Sequence, residues 1–72
     1  MNNILIEQLY TEISETDPTI FSTALRLLRK IKGYTQKEIA EKIDVDKTTI
    51  SKWETNQAFP RKKTFKKLIT TI

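Results

Sequence analysis

The sequence predicts an all-α fold, and three observations support this. The 72 residues contain one glycine and two prolines, so few positions interrupt helices. Apolar residues recur every three or four positions, which is the spacing of one helix face. The alternation typical of strands is absent. We expect four to five short helices in two parts, an amphipathic acidic helix in residues 1–16 and a helical domain in residues 17–72.

The first helix is expected from Asn2 to about Glu15. Its polar side carries several acids and its other side is apolar. An exposed stripe of this size is unfavourable, so we expect it to be buried against the same chain, a second copy or a partner protein. The candidate interface residues are Leu5, Ile6, Leu9 and Ile13.

The second helix is expected to begin after Asp17, which can cap it, with Pro18 in its first turn. Gly33 is expected to end this helix in a left-handed conformation. The stripe expected to face the core is Phe21, Ala24, Leu25, Leu28 and Ile31. The basic side chains expected to stay outside are Arg26, Arg29, Lys30 and Lys32.

Two short helices are expected next. Thr35 and Glu38 have the spacing of a capping box at the start of the first of them, which runs from Gln36 to about Ile43. After a tight turn, Asp46 is expected to cap the second, which spans residues 47–55. The apolar residues expected inside are Ile39, Ala40, Ile43, Ile50 and Trp53. A last, basic helix is expected from Arg61 to about Thr71.

Two short helices joined by about three residues form a helix-turn-helix arrangement. The spacing of ten residues from Ala40 to Ile50, and of three from Ile50 to Trp53, suits that geometry. The segment from Gly33 to Glu54 resembles the Cro/C1 (XRE-type) helix-turn-helix family, and the resemblance extends over residues 21–70. It implies a lambda-repressor-like fold. The residues that carry it are Thr35, Gln36, Ala40, Ile50, Ser51, Lys52, Trp53, Glu54, Pro60, Phe65 and Leu68.

The sequence departs from the family pattern at three places. Asp44 and Asn56 stand where the family usually has glycine, and both residue types tolerate a left-handed backbone better than most. Many family members have a further helix, often used for dimerisation, after the one that corresponds to residues 61–71; we expect none there in this sequence, and the additional helix is at the N-terminus instead. The usual dimer of the family therefore cannot be assumed.

Charge points to a polyanionic partner. The net charge is +4, but residues 1–25 carry four acids and no Lys or Arg, whereas residues 26–72 carry all 13 basic residues and five acids. In the second of the two short helices, residues 47–55, which is the recognition helix of the motif, polar residues lie opposite Ile50 and Trp53 and can face a DNA major groove. The resemblance implies base contacts at Lys47, Thr48 and Lys52, a backbone contact at Thr55 and a phosphate contact at Gln36. Ser51 completes this polar side, and Lys37, Arg61 and Lys62 suit phosphate neutralisation.

Histidine and cysteine are absent, which excludes zinc ligation by these residues and Cys–His or Ser–His catalysis. We therefore expect no catalytic residues, no metal, no cofactor and no small-molecule ligand. No apolar run is long enough to span a membrane, so we expect a protein of the bacterial cytoplasm with no membrane partner.

Two functions remain in competition. The first is a sequence-specific transcriptional regulator, such as a Cro-like repressor in a phage or mobile-element genetic switch. It would occupy a pseudo-palindromic operator in double-stranded DNA, and a homodimer is one form in which it could do so. The second is an antirepressor of the modulator-of-repression type, which binds a partner repressor and blocks its DNA binding. The acidic first helix motivates the second hypothesis. An antitoxin or a promoter activator is a further alternative.

Overall fold

The computed structural model describes residues 3–72, and this part of the chain contains five helices and no strand. The all-α prediction is confirmed. The helices are α1 (Asn3–Thr16), α2 (Pro18–Lys32), α3 (Gln36–Lys42), α4 (Lys47–Glu54) and α5 (Lys62–Thr71).

Local capping chemistry sets most of these boundaries. The Asp17 carboxylate accepts the backbone N–H of Thr19 at 3.1 Å, and Pro18 is the first residue of α2. Gly33 ends α2 with φ of 76°, a conformation that favours glycine. The capping box of α3 is present in both directions, between Thr35 and Glu38. These four predictions are confirmed.

The turns flanking α4 differ partly from expectation. Asp44 and Asn56 both adopt a left-handed backbone with φ of 59°, so each fills the role that glycine usually fills. Asp46 occupies the capping position of α4 with an extended backbone, but its side chain makes no capping hydrogen bond. Its backbone carbonyl instead accepts from Thr49 and Ile50. Asp46 is thus the N-cap residue of α4, as predicted, but the side-chain hydrogen bond usual at such a cap is absent.

The core lies where all five helices converge. Phe21 is at its centre, with ring centroids 5.2 Å from Phe59, 5.7 Å from Phe65 and 6.1 Å from Trp53. Ala40 is 3% exposed, which confirms its expected position on the inner side of α3. The buried apolar residues are Ile6, Phe21, Leu25, Ile39, Ala40, Ile43, Ile50, Trp53, Phe65 and Leu68.

Helix α1 packs onto α2 and α5 and contributes to the same core. The Tyr10 hydroxyl donates to the carbonyl oxygen of Pro60 at 2.9 Å, and the Tyr10 ring lies 5.5 Å from Phe59 and 5.2 Å from Phe65. On its outer side, α1 is joined to α5 by an ion pair of 2.7 Å between Glu7 and Lys66. Helix α1 is therefore a packed element of the fold.

The apolar stripe of α2 is only half covered. Phe21 and Leu25 are buried as expected, whereas Ala24, Leu28 and Ile31 are exposed, Leu28 by 39% and Ile31 by 77%. The expectation that all five face the core is wrong. The stripe is wider than the surface that α1, α4 and α5 cover, so its outer edge faces solvent.

Candidate nucleic-acid interface

Helix α4 has one buried side and one open side. Ile50 and Trp53 are 0% and 4% exposed and fix α4 against α2 and α3. On the other side Thr48 and Lys52 are exposed, and Ser51 is half-buried between the two sides. This arrangement leaves a polar, convex helix surface of the width that a major groove admits.

The two lysines of α4 keep their ammonium groups available. Lys47 is the first residue of α4 and Lys52 lies in its last turn, and both are exposed. Neither takes part in the two ion pairs formed within residues 3–72, which join Arg29 to Glu54 and Lys66 to Glu7. An unpaired ammonium on this surface can donate to the O6 and N7 atoms of guanine.

Gln36, the first residue of α3, is held in place by Glu54. Its Nε2 donates to Glu54 Oε1 at 3.2 Å across the junction between α3 and α4. Glu54 also receives two bonds from Arg29 of α2, from Nε at 2.6 Å and from Nη2 at 3.0 Å. The guanidinium donates further, from Nη1 to the carbonyl oxygen of Tyr34 at 3.1 Å. The network fixes the Gln36 side chain at the N-terminus of α3, a location suited to a phosphate.

Arg29 was expected to point outward, and this expectation is wrong. Its side chain is 16% exposed and that of Glu54 is 4% exposed, so the pair is largely removed from water. The hydrogen bond with Glu54 raises the pKa of Arg29 above its usual value. The sequence did carry a signal for the position of Arg29. Phe21, Leu25 and Arg29 follow one another at four-residue intervals, which puts Arg29 on the core side of α2.

Thr55 lies at the C-terminal cap of α4, and its hydroxyl is already engaged. It donates to the carbonyl oxygen of Ser51 at 2.9 Å and accepts from Nε2 of Gln57 at 2.9 Å. A phosphate contact that uses the hydroxyl proton would replace the bond to Ser51.

The remaining predicted phosphate contacts lie in different surroundings. Lys37 is the exposed second residue of α3, and Arg61 is the exposed cap of α5. Lys62, although exposed, lines a shallow depression together with residues of α1, including Glu7 and Glu12. The pKa of Glu7 is lowered first by its hydrogen bond with Lys66 and further by the charge of Lys62. Part of the Lys62 charge is therefore balanced by α1.

The candidate interface residues of α1 are not equally accessible. Leu5 and Leu9 are 62% and 44% exposed, and Ile13 is half-buried. Ile6 is 3% exposed and belongs to the core, so it cannot contact a partner without opening the fold. Of the four candidate interface residues, Ile6 therefore serves the core and not an interface.

Residues 3–72 contain no cluster of acidic side chains arranged to hold a metal ion. None of the helices in this range combines the length and hydropathy that a membrane crossing requires.

Comparison with known proteins gives a consistent family match. A family model described as Helix-turn-helix matches residues 25–72. Antitoxin HipB of Escherichia coli strain K12 is 36% identical over 55 residues, which cover 76% of this chain and 62% of HipB. HipB of E. coli O6:H1 strain CFT073 is also 36% identical over 55 residues, covering 76% of this chain and 58% of that protein.

A third relative, the HTH-type transcriptional activator BcrR of Enterococcus faecalis, is 39% identical over 46 residues, which cover 64% of this chain and 22% of BcrR. The chain spans about three fifths of the length of the HipB relatives it matches. No solved structure matches the chain significantly.

Proposed function

Because the chain belongs to the helix-turn-helix family, we propose that it is a sequence-specific DNA-binding transcriptional regulator that works without enzymatic chemistry. One observation carries the proposal. The open side of α4 presents Lys47, Thr48 and Lys52, while Ile50 and Trp53 anchor the opposite side in the core. A rigid helix with an exposed polar surface is what direct contact with base edges requires.

Each contact has a distinct task in this proposal. Lys52 and Lys47 donate to guanine, and Thr48 packs its methyl group against a thymine methyl. Gln36, fixed by Glu54, and the neighbouring Lys37 bind phosphates beside the N-terminus of α3. The phosphate contacts set the register and the affinity, whereas the contacts of α4 set the sequence preference.

Regulation follows from occupancy of the site. A single helix-turn-helix contacts only a short half-site, so useful affinity requires two copies on a pseudo-palindromic operator. We propose that the bound protein excludes RNA polymerase, as a Cro-like repressor of a phage or mobile element does, in the cytoplasm of its bacterial host.

Selection of a binding site from a random duplex library, followed by titration at fixed salt, tests the proposal. The selected duplex should bind more tightly than a scrambled one. Lys52→Ala should lose about 1–3 kcal/mol on the selected duplex and little on the scrambled one, because it removes a base contact. Lys37→Ala should weaken both duplexes and lower the salt slope by about one unit.

Lys67→Ala is the matched control, since it removes one exposed positive charge from α5 and leaves the helix-turn-helix untouched. Equal losses for Lys52→Ala on both duplexes would reduce Lys52 to a phosphate contact. A library that yields no preferred duplex would contradict the proposed function.

A second candidate function, that of an antirepressor, is favoured by the acidic surface of α1. Glu12 and Glu15 are exposed and take part in neither of the ion pairs within residues 3–72. An acidic helix can cover the basic DNA-contacting surface of a partner repressor. Competition decides between the two functions. An antirepressor should release a partner repressor from its operator without binding that DNA itself, and Glu12→Gln with Glu15→Gln should weaken the release.

The HipB relatives are antitoxins, which makes an antitoxin role a further option for this chain. Co-expression with the product of the neighbouring gene tests it. Rescue of growth that survives Lys52→Ala would separate such a role from sequence-specific DNA binding.

A further inference from the structure

Helix α5 carries four lysines, and they form two pairs. Lys62 and Lys66 are four positions apart and therefore share one side of the helix. Lys66 donates from Nζ to Glu7 Oε1 of α1 at 2.7 Å. Lys63 and Lys67 share the adjacent side, and they take part in neither of the two ion pairs in the described part of the chain.

Lys62, like Lys66, lies against α1. It lines a shallow depression whose other residues all belong to α1, namely Glu7, Gln8, Thr11 and Glu12. The hydrogen bond with Lys66 lowers the pKa of Glu7 most, and the charge of Lys62 lowers it further. One carboxylate of α1 therefore acts on both lysines of this side of α5.

The packing of α1 keeps this carboxylate beside α5. Ile6, the residue before Glu7, is buried in the core. The Tyr10 hydroxyl, one turn further along, donates to the carbonyl oxygen of Pro60, two residues before α5 begins. These two contacts fix the rotation of α1 and its position next to the first turns of α5, so Glu7 stays close to the lysines while α1 is packed.

Lys62 is also one of the residues expected to neutralise DNA phosphates, so it has two possible anionic partners. We propose that Glu7 is an internal competitor of DNA phosphate for Lys62 and Lys66, and that α1 thereby lowers the affinity of the protein for all DNA. The inference rests on the proposed DNA-binding function and adds a regulatory contact to the same surface.

The competition disfavours DNA in either of two geometries. If a phosphate takes over the ammonium groups, the 2.7 Å ion pair between Lys66 and Glu7 is lost. If the lysines stay in place, a phosphate bound to them lies closer to the Glu7 carboxylate than the Debye length, which is about 8 Å at physiological salt, and the two anions repel each other. Phosphate contacts do not depend on the base sequence, so the loss is the same for every duplex.

Removal of the carboxylate should therefore strengthen DNA binding. The side chains of Glu7 and Lys66 are 43% and 30% exposed, so water screens the pair and the effect is modest. We expect Glu7→Gln to bind the selected duplex and the scrambled duplex about two- to fivefold more tightly than the wild type. The gain should shrink as salt is added, and the salt slope should be steeper than that of the wild type by up to about one unit.

Fluorescence anisotropy with both duplexes over a range of salt concentrations measures these changes. Glu15→Gln is the matched control, since it removes the same charge from an exposed position of α1 outside the depression. It should leave the affinity nearly unchanged. Circular dichroism confirms that both variants are folded.

Combined substitutions test whether the effect acts through the two lysines. In a protein with Lys62→Ala and Lys66→Ala, Glu7→Gln should give no gain in affinity, because the groups for which it competes are absent. In a protein with Lys63→Ala and Lys67→Ala, which loses the same charge from the adjacent side of α5, the gain should persist.

Four outcomes decide the matter. If the wild type selects a duplex and Glu7→Gln binds it no more tightly, the competition is overturned and the proposed function stands. A gain that persists without Lys62 and Lys66, or an equal gain for Glu15→Gln, would be a general charge effect and would also overturn the competition. A gain through the two lysines on every duplex, without a preferred sequence, would support the competition and contradict the sequence-specific function. Absence of DNA binding by both the wild type and Glu7→Gln would overturn both.

Discussion

Glu54 is a buried acid that connects three helices through its own two oxygen atoms. It is 5% exposed, and it accepts hydrogen bonds from Arg29 of α2 and from Gln36 of α3. Within residues 3–72, no buried side-chain nitrogen or oxygen lacks a hydrogen-bond partner. A buried carboxylate of this kind stabilises the fold only while its donors are in place.

The first prediction concerns this carboxylate. Glu54→Gln removes the negative charge and leaves the largely buried Arg29 without an ionic partner. Loss of one member of a buried pair costs about 3–5 kcal/mol, and we expect the lower end because Arg29 keeps some contact with water. Urea denaturation measures the loss in the free energy of unfolding.

Glu41→Gln is the control for this substitution, since it makes the same chemical change at an exposed position of α3. It should alter the free energy of unfolding by no more than about 0.5 kcal/mol. Similar effects of the two substitutions would show that the network around Glu54 adds little to stability.

At the scale of single elements, α3 depends strongly on its ends. It has seven residues, fewer than an isolated helix needs to form in water. Thr35 Oγ1 accepts the N–H of Glu38 at 3.0 Å, and Glu38 Oε1 accepts the N–H of Thr35 at 2.9 Å. These two bonds satisfy donors that would otherwise be unpaired in the first turn.

The second prediction concerns the pH dependence of this cap. The hydrogen bond from the Thr35 N–H lowers the pKa of Glu38 below its ordinary value of 4.5. A carboxylate with a lowered pKa adds stability that is present above its unfolded pKa and is lost as the pH falls through its folded pKa. The melting temperature of the wild type should therefore exceed that of Glu38→Gln near neutral pH, and the difference should shrink as the pH falls below 4.5.

Thermal melts of both proteins across this pH range give the comparison. NMR titration of the Glu38 side-chain carboxyl carbon gives its pKa directly. A titration midpoint at or above 4.5 would contradict the assigned hydrogen bond.

The elements also show which features a sequence can predict. The caps at Asp17, Gly33 and Thr35 depend on residues within four positions of one another, and all three were predictable. The exposure of Leu28 and Ile31 was not, because it depends on how far α1 and α5 extend over α2. Periodicity indicates which side of a helix is apolar, and the neighbouring elements decide how much of that side they cover.

The candidate site likewise contains some features that the sequence predicts and others that it does not. The alternation of buried and open positions in α4 is local, so the outward placement of Thr48 and Lys52 followed from helical spacing. The hydrogen bond from Gln36 to Glu54 joins residues 18 positions apart, and the hydrogen bond from Tyr10 to Pro60 joins residues 50 positions apart. Pairings between distant positions leave no periodic signal, so the sequence alone does not indicate them.

At the scale of the whole molecule, α1 closes one side of the core. The described chain fits within 28 × 25 × 21 Å. The acidic outer side of α1 lies beside the basic α5, and the 2.7 Å ion pair between Glu7 and Lys66 joins them. The opposite charges of the two ends of the sequence are therefore brought together in the fold and partly neutralise each other.

The sequence left open whether the apolar stripe of α1 belongs to the core or to an interface, and in the structure one edge of the stripe is buried while the other is exposed. Ile6 and Tyr10 pack inward, whereas Leu5 and Leu9 remain exposed. The apolar arc of α1 is wide enough for this, because its inner edge completes the core and its outer edge stays in contact with solvent.

The last prediction separates these two edges with adjacent substitutions on α1. Ile6→Ala removes side-chain atoms from a site that is 3% exposed, and it should cost about 2–5 kcal/mol because a cavity remains in the core. Leu5→Ala makes a comparable truncation at a site that is 62% exposed and should change the free energy of unfolding by no more than about 0.5 kcal/mol. Urea denaturation at low protein concentration, where self-association is negligible, measures both. Similar losses for the two variants, or no loss for Ile6→Ala, would mean that α1 does not pack on the domain as described, because only a packed helix distinguishes two neighbouring side chains in this way.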